Sequence, residues 1–338
     1  MDGHRTVLIM GAGASFASDH HLPTMAAFWP TPSGLADPLQ RFLIWFGAAK
    51  TQPFNLEEVL AYLDLARHRS GTWGLPTTPA GTDPERCYAA VLDELRARLA
   101  TPSDRPCASH VKLFQRLEPE DSVITLNYDL IADCALRSVE LPPGGTDLPH
   151  NSRLAKVGPL VGDPHFWGGV PPSLLPRESE TGFYLKLHGS LDWLRCTTPN
   201  CPNNHRLFAV GVERLSDGQG PGHPCRLCGS ALEIFIVPPV AAKRIDDRSR
   251  LSFLWNLALR ELRKAQQIAV IGLSLAPTDF ELRWLLRAAI VDRNSPALVV
   301  ANPSAENRNT LISLFGTAST AVREYRGLAE LVEGRPLS

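Results

Sequence analysis

Five short and largely apolar runs, each closing on a glycine or a polar side chain, constrain the fold of this chain more than any other feature. They cover residues 6–10, 122–126, 183–187, 268–271 and 297–301; a further strand-like run, 232–237, is closed by Pro238-Pro239. Four or five apolar residues without alternation fit a strand buried on both faces, which is the environment of a parallel sheet. Between the runs lie stretches with helical spacing: 55–67, 84–100, 107–117, a segment from about 130, 247–264 and 279–292. The first opens on Asn55-Leu56-Glu57-Glu58, a capping box, and puts Leu56, Val59, Leu60 and Leu63 on one face. Strands alternating with helices of this length predict an α/β fold, a doubly wound parallel sheet of Rossmann-like type. In such a sheet the strand ends converge on one edge, so the motifs that close the runs are expected to meet there.

The closing motifs are Gly11-Ala12-Gly13-Ala14-Ser15, Asn127-Tyr128-Asp129, His188-Gly189-Ser190, Gly272-Leu273-Ser274-Leu275 and Asn302. A glycine-rich turn directly after a strand can aim backbone N–H groups at a phosphate. It can equally be a bare strand-to-helix turn. The dinucleotide fingerprint of redox enzymes needs a third glycine at position 16, where this chain has Phe16, so a nicotinamide redox site is disfavoured. Asn127 and Asp129 can bind ribose hydroxyls or orient a water; alternatively Asp129 caps the next helix and Asn127 satisfies a turn. His188, at a strand end beside a glycine, is well placed as a general base, although a hydrogen-bonded structural histidine reads the same way. His20, His21 and His110 have no such context and read as surface or packing residues. Gly272, Ser274 and Asn302 stand where further ligand contacts would fall, and Asp279 reads as a helix cap.

Seven cysteines occur. Cys87, Cys107 and Cys134 sit in apolar helical patterns and read as small buried residues. Cys196, Cys201, Cys225 and Cys228 form two pairs, spaced x4 and x2, across a polar loop. Four thiolates suit tetrahedral Zn²⁺, and with every position taken by protein the ion would be structural. His205 or His223 could replace one cysteine, and a redox dithiol at Cys225 and Cys228 is a further alternative. The odd count without a secretory signal argues against a disulfide framework.

Residues 141–177 are rich in proline and glycine and lack periodicity, with His165-Phe166-Trp167 in the middle; they read as a lid, a binding loop or a partner surface. The net charge of −1 gives no direct sign of nucleic acid or of an anionic membrane as partner. Residues 7–10 are too short an apolar run for a signal peptide or a membrane span, no eighteen-residue apolar stretch occurs elsewhere, and the expected compartment is the cytoplasm.

Taken in order, these motifs resemble the sirtuin superfamily from the start of the chain to about residue 330. Gly11, Ala12, Gly13 and Ser15 match its phosphate-binding loop, Asn127 and Asp129 its Asn-x-Asp element, and His188-Gly189 its catalytic His-Gly. The four cysteines fall where the family inserts a zinc module; Gly272 and Ser274 match its glycine-serine loop, and Asn302 its ribose-binding asparagine. The resemblance implies one NAD-binding domain, residues 1–195 and 229–338, with a lid at 141–180 and a zinc module inserted at 196–228. It implies NAD⁺ as substrate, Zn²⁺ as structural cofactor, and Asn127, His188 and Asp129 as catalytic residues. Leu126 stands where deacylases of the family usually carry glutamine. With residues 189–194 and 276–280, that change is similar to a bacterial sirtuin-like branch associated with antiphage defence, whose members are typically NAD⁺ hydrolases. The reading implied is an NAD⁺ glycohydrolase, with a protein-lysine deacylase as alternative and a nucleotide-binding scaffold without turnover as a third. Control would then come from homo-oligomerisation or a separate activating protein.

Overall fold

The structure is a computed structural model that describes residues 5–25, 28–29, 33–47, 54–73, 78, 80–99, 105–118, 120–140, 154–157, 182–204, 207–209, 221–237, 249–275, 279–291, 296–316 and 321–334. All five apolar runs are strands of one parallel sheet: β1 (Thr6–Met10), β2 (Ser122–Thr125), β4 (Gly182–Lys186), β8 (Gln267–Ile271) and β9 (Ala297–Ala301). Two further strands complete it at the edges, β3 (Leu154–Val157) beside β4 and β10 (Val322–Tyr325) beside β9. The spatial order is β10-β9-β8-β1-β2-β4-β3, and every pairing is parallel. With the edge strand β3 set aside, the strands run 3-2-1-4-5-6 in chain order, the Rossmann arrangement.

The period of two along β1 divides two cores. Val7 and Ile9 join Ile124, Leu185, Val270 and Val300 against the helices α7 (Ser249–Lys264), α8 (Phe280–Ile290) and α9 (Ala305–Phe315). Leu8 and Met10 join Val123, Tyr184, Ile271 and Val299 on the other face. There they meet the short α1 (Ala12–Phe16), α5 (Ala108–Phe114), α6 (Ile131–Glu140) and α10 (Leu328–Glu333). Helices on both faces are the reason the strands read as unbroken apolar runs.

A third core lies apart from the sheet faces. It joins α2 (Asp37–Gly47), α3 (Leu56–Trp73) and α4 (Pro84–Leu99) to a three-stranded antiparallel sheet of order β6-β5-β7. The strands are β5 (Gly189–Arg195), β6 (Leu207–Ala209) and β7 (Glu233–Ile236). Leu39, Phe42, Leu56, Val59, Leu60 and Leu63 pack there with Leu191, Leu194, Ile234 and Ile236. Asn55 caps α3 as its spacing predicts: its Oδ1 accepts from the Glu57 amide at 2.8 Å.

Within 141–177 the one described element is β3, so the segment supplies a sheet strand where sequence texture shows no regular structure. The remainder of that expected lid lies outside the described residues. Among the described residues no helix is long and apolar enough to cross a membrane.

Candidate functional site

β1 lies between β2 and β8, and the chain leaves the sheet in opposite directions from the two halves. Ligands of open α/β sheets bind in the crevice at such a switch point, beyond the strand ends. Here the two glycine loops meet at that point, and their geometry shows why glycine is required. Gly11 N donates to Ile271 O at 2.9 Å, and Gly13 N to Gly272 O at 2.8 Å. Gly272 holds a φ of +62°, and a Cβ there would stand 2.0 Å from Ala14 N. A side chain on Gly11 or Gly13 would press on the Gly272 carbonyl at 2.8 Å. The two loops therefore interlock backbone to backbone. The amides of Gly11 and Gly13 are committed to β8 and its loop, so these glycines lock the two loops together rather than offer those donors to a phosphate.

Asn302 extends the same lock. Its amide donates to Tyr325 O at 3.0 Å, its Nδ2 to Leu273 O at 2.9 Å, and its Oδ1 accepts from Ser304 N at 2.9 Å. Ser274 is exposed on the same loop.

At the end of β2, Asn127 is buried, and its Nδ2 donates to Gly11 O at 3.0 Å and to Ser15 Oγ at 2.9 Å. Ser15 also hydrogen-bonds the Asp129 carboxylate, and Asp129 Oδ1 accepts from Ile131 N at 3.0 Å. The expected cap and the expected site residue are thus one side chain. Burial raises the Asp129 pKa; Lys186, the Ser15 hydroxyl and the Ile131 amide pull it back. Asn127, Ser15 and Asp129 form a continuous buried polar chain beside the first glycine loop, although Asn127 and Ser15 are 112 positions apart.

His188 follows β4, the neighbour of β2. It is buried between Tyr128 and Trp255, with ring centroids 6.4 and 6.2 Å away, the latter stacked. Its carbonyl accepts from Val237 N at 2.7 Å, Tyr128 OH donates to Val237 O at 2.7 Å, and Trp255 Nε1 donates to Leu187 O at 3.2 Å. Gly189, with φ +81°, then turns the chain into β5; a Cβ there would lie 2.4 Å from Phe235 O. The histidine is held by β2, β7 and α7 at once. Asn127, Asp129 and His188 therefore stand on adjacent strand ends, an arrangement able to orient a ribose and a water and to accept a proton.

The motif reading gave no role to Lys186, Asp133 or Trp255. Lys186 is buried, and its Nζ lies 2.7 Å from Asp129 O and 2.8 Å from Asp133 Oδ2. A lysine inside a strand buried on both faces was the available signal, since such a charge requires partners.

The four cysteines converge as their spacing predicts. Their sulfurs all lie within 4.8 Å of one another, with Cys196 and Cys228 at 3.6 Å and Cys201 and Cys225 at 3.8 Å. A tetrahedron with Zn–S near 2.3 Å has edges of about 3.8 Å, so the donor set and its size fit Zn²⁺. Asn203, fully buried, adds Nδ2 to Cys225 Sγ and its amide to Cys201 Sγ, each at 3.4 Å. His223 stands outside the cluster, and His205 lies outside the described residues. Cys87, Cys107 and Cys134 are buried and unpaired by disulfide, as expected.

No protein-family model matches the chain, and no curated protein matches it. Among solved structures it is similar to a Sir2 homologue in complex with NAD, at 19% identity and a TM-score of 0.47, over 97% of this chain and 88% of that one. It is also similar to a Sir2 homologue mutant bound to 2′-O-acetyl ADP-ribose, at 19% identity and a TM-score of 0.45, over 97% and 90% of the two chains. A third, from work on Sir2 enzyme mechanism and regulation, is 16% identical with a TM-score of 0.45, over 98% and 91%.

Proposed function

We propose that the protein is an NAD⁺ glycohydrolase that cleaves the nicotinamide–ribose bond to give nicotinamide and ADP-ribose. The observation that supports this reading is that Asn127 is bonded to the first glycine loop and to Ser15, the partner of Asp129, while His188 follows the neighbouring strand β4. The dinucleotide lies along that crevice, beyond the ends of β1 and β8. Asp129 takes the ribose side, its carboxylate fixed by Ser15 and the Ile131 amide. With Nδ2 tied to Gly11 O and Ser15 Oγ, Asn127 has Oδ1 left to orient the nucleophile. The C1′–N bond breaks through an oxocarbenium-like transition state, its electron pair leaving with nicotinamide. Water forms the new C1′–O bond and gives its proton to His188.

The motif variants at Leu126, 189–194 and 276–280 support an antiphage-defence role. Unrestrained NAD⁺ loss would harm the cell, so self-association or an activating partner would hold the enzyme in check.

One observation favours the second reading, a protein-lysine deacylase. β7 is an edge strand of its sheet among the described residues, and its end at Val237 is bonded to His188. A peptide added to that edge would reach the histidine.

The test is product analysis with NAD⁺, with and without an acetyl-lysine peptide, for wild type, Asn127→Ala and His188→Ala. Nicotinamide and ADP-ribose without peptide, reduced roughly a hundredfold or more in each variant, are expected. Turnover that requires peptide would make the protein a deacylase. Undiminished turnover in both variants would remove the residue assignment.

A further inference from the structure

Lys186 is a cation at the end of a strand buried on both faces, and its ammonium faces groups from four elements. Asp133 Oδ2 lies 2.8 Å from Nζ and Asp129 O lies 2.7 Å away. Tyr184, two residues earlier on the same face of β4, donates to the same Asp133 oxygen at 3.0 Å. Asp192 from β5 and Cys134 from α6 complete the titratable set around it. Three carboxylates, those of Asp129, Asp133 and Asp192, thus share one buried ammonium.

A buried ion pair is weak evidence for stability, because a well-packed apolar pair of similar volume is often as stable. What the lysine does here that an apolar residue could not is bridge a backbone carbonyl and a side-chain carboxylate. It ties the carbonyl of Asp129, in the turn after β2, to the first turn of α6, and it does so two residues before His188. We propose that Lys186 is a positioning residue for the reaction, clamping the 127–133 turn so that Asn127 and Asp129 face the crevice beside His188. The proposal rests on the NAD⁺-cleaving reading for the reaction it serves. Its electrostatic consequence is local. Burial raises the carboxyls of Asp129 and Asp192, the charge of Asp133 raises Asp192 further, and Lys186 lowers both. Without the ammonium, Asp129 takes up its proton at higher pH and loses the negative charge that favours a nascent ribosyl cation.

The experiment pairs Lys186→Met with Asp133→Asn. The double variant removes the ammonium together with the carboxylate nearest to it and keeps an acceptor for Tyr184. Nicotinamide release is followed from pH 5 to pH 9 beside the melting temperature. The expected variant melts within a few degrees of wild type, keeps its KM for NAD⁺ within a few-fold, and loses roughly tenfold or more in kcat at pH 7. Its acid limb also moves to higher pH, so activity partly returns on the alkaline side. A folded variant with wild-type kcat and an unmoved acid limb overturns the proposal.

A second readout needs no turnover. The carboxyl carbon of Asp129, labelled with ¹³C and assigned through Asp129→Asn, is titrated by NMR in both proteins. Ionisation at a higher pH in the double variant is expected, and ionisation at the same pH overturns the proposal even if wild type leaves NAD⁺ intact. Wild-type inactivity with a shifted Asp129 titration would count against the glycohydrolase and leave the clamp standing.

Discussion

His110 is sealed in the core, with Nδ1 3.1 Å from Cys107 Sγ and its ring edge-on to Phe114, and burial pulls its pKa down to about 4. Asp19 opposes that pull and His20 adds to it. The folded value lies below the unfolded one of about 6.5, so the unfolded chain binds more protons between the two. His110 therefore supports the fold fully above pH 6.5, and its contribution, about 3 kcal/mol at most, is lost as the pH falls toward 4. Urea midpoints at pH 4.5 and pH 7 should show a smaller acid loss in His110→Leu than in wild type. Equal losses would show that the histidine is not the group responsible. The raised carboxyls of Asp121, Asp129 and Asp192 act in the opposite sense, since protonation relieves their burial, and they are common to both proteins. At this scale the sequence was legible for residue type and place. Asn127, Asp129, His188 and the four cysteines could be picked out because polar groups closing apolar runs, and paired thiols, are unusual. Depth was not legible: His110 read as a surface or a packing residue, because only α5 docking on the sheet determines how far it is from water.

The two loops that follow β1 and β8 form one element of architecture, and Gly272 is its tightest point. With φ at +62° and Ala14 N 2.0 Å from any Cβ, alanine at 272 meets both a strained backbone and a backbone obstacle. Gly272→Ala should cost roughly 2 kcal/mol or more. Separation of the loops should also weaken ADP-ribose binding, as read by calorimetry on protein that still folds. Native melting with unchanged binding would mean that the interlock does not shape the crevice. Elements were legible where one physical signal governed them. The central strands are buried on both faces and so read as apolar runs, and α8 begins where Asp279 accepts from the Leu282 amide. Of the antiparallel strands only β7 was legible, as the apolar run 232–237; β5, β6 and the edge strands of the parallel sheet were not. Val322–Tyr325 alternates between exposed and half-buried positions, and Leu154–Val157 sits among prolines and glycines. Gly189–Arg195 becomes a strand because 233–236 and 207–209 pair with it, a decision made across tens of residues.

In the whole molecule, the parallel sheet has a core on each face, whereas the antiparallel sheet depends on helices α2 to α4 and on the cysteines. Cys196, Cys201 and Cys225 are members of that third core. Their cluster ties residues just after β5 to the turn that leads into β7, a span that three short strands would hold weakly alone. Structural zinc binds such peptides with apparent free energies on the order of 10 kcal/mol, enough to decide whether this lobe is folded. Metal analysis should find one zinc per chain. Chelation should split the thermal transition, melting the third core first while the parallel sheet persists. Hydrogen exchange would locate the change: β5, β7 and α2 to α4 should lose protection, while β1, β8 and β9, buried between two helical layers, should keep theirs. Because His188 is bonded through Val237 to the end of β7, early loss of that lobe should also free the histidine and stop turnover before the sheet unfolds. A chelated protein with unchanged exchange in β5 and β7 would show that packing, not metal, holds the four cysteines together.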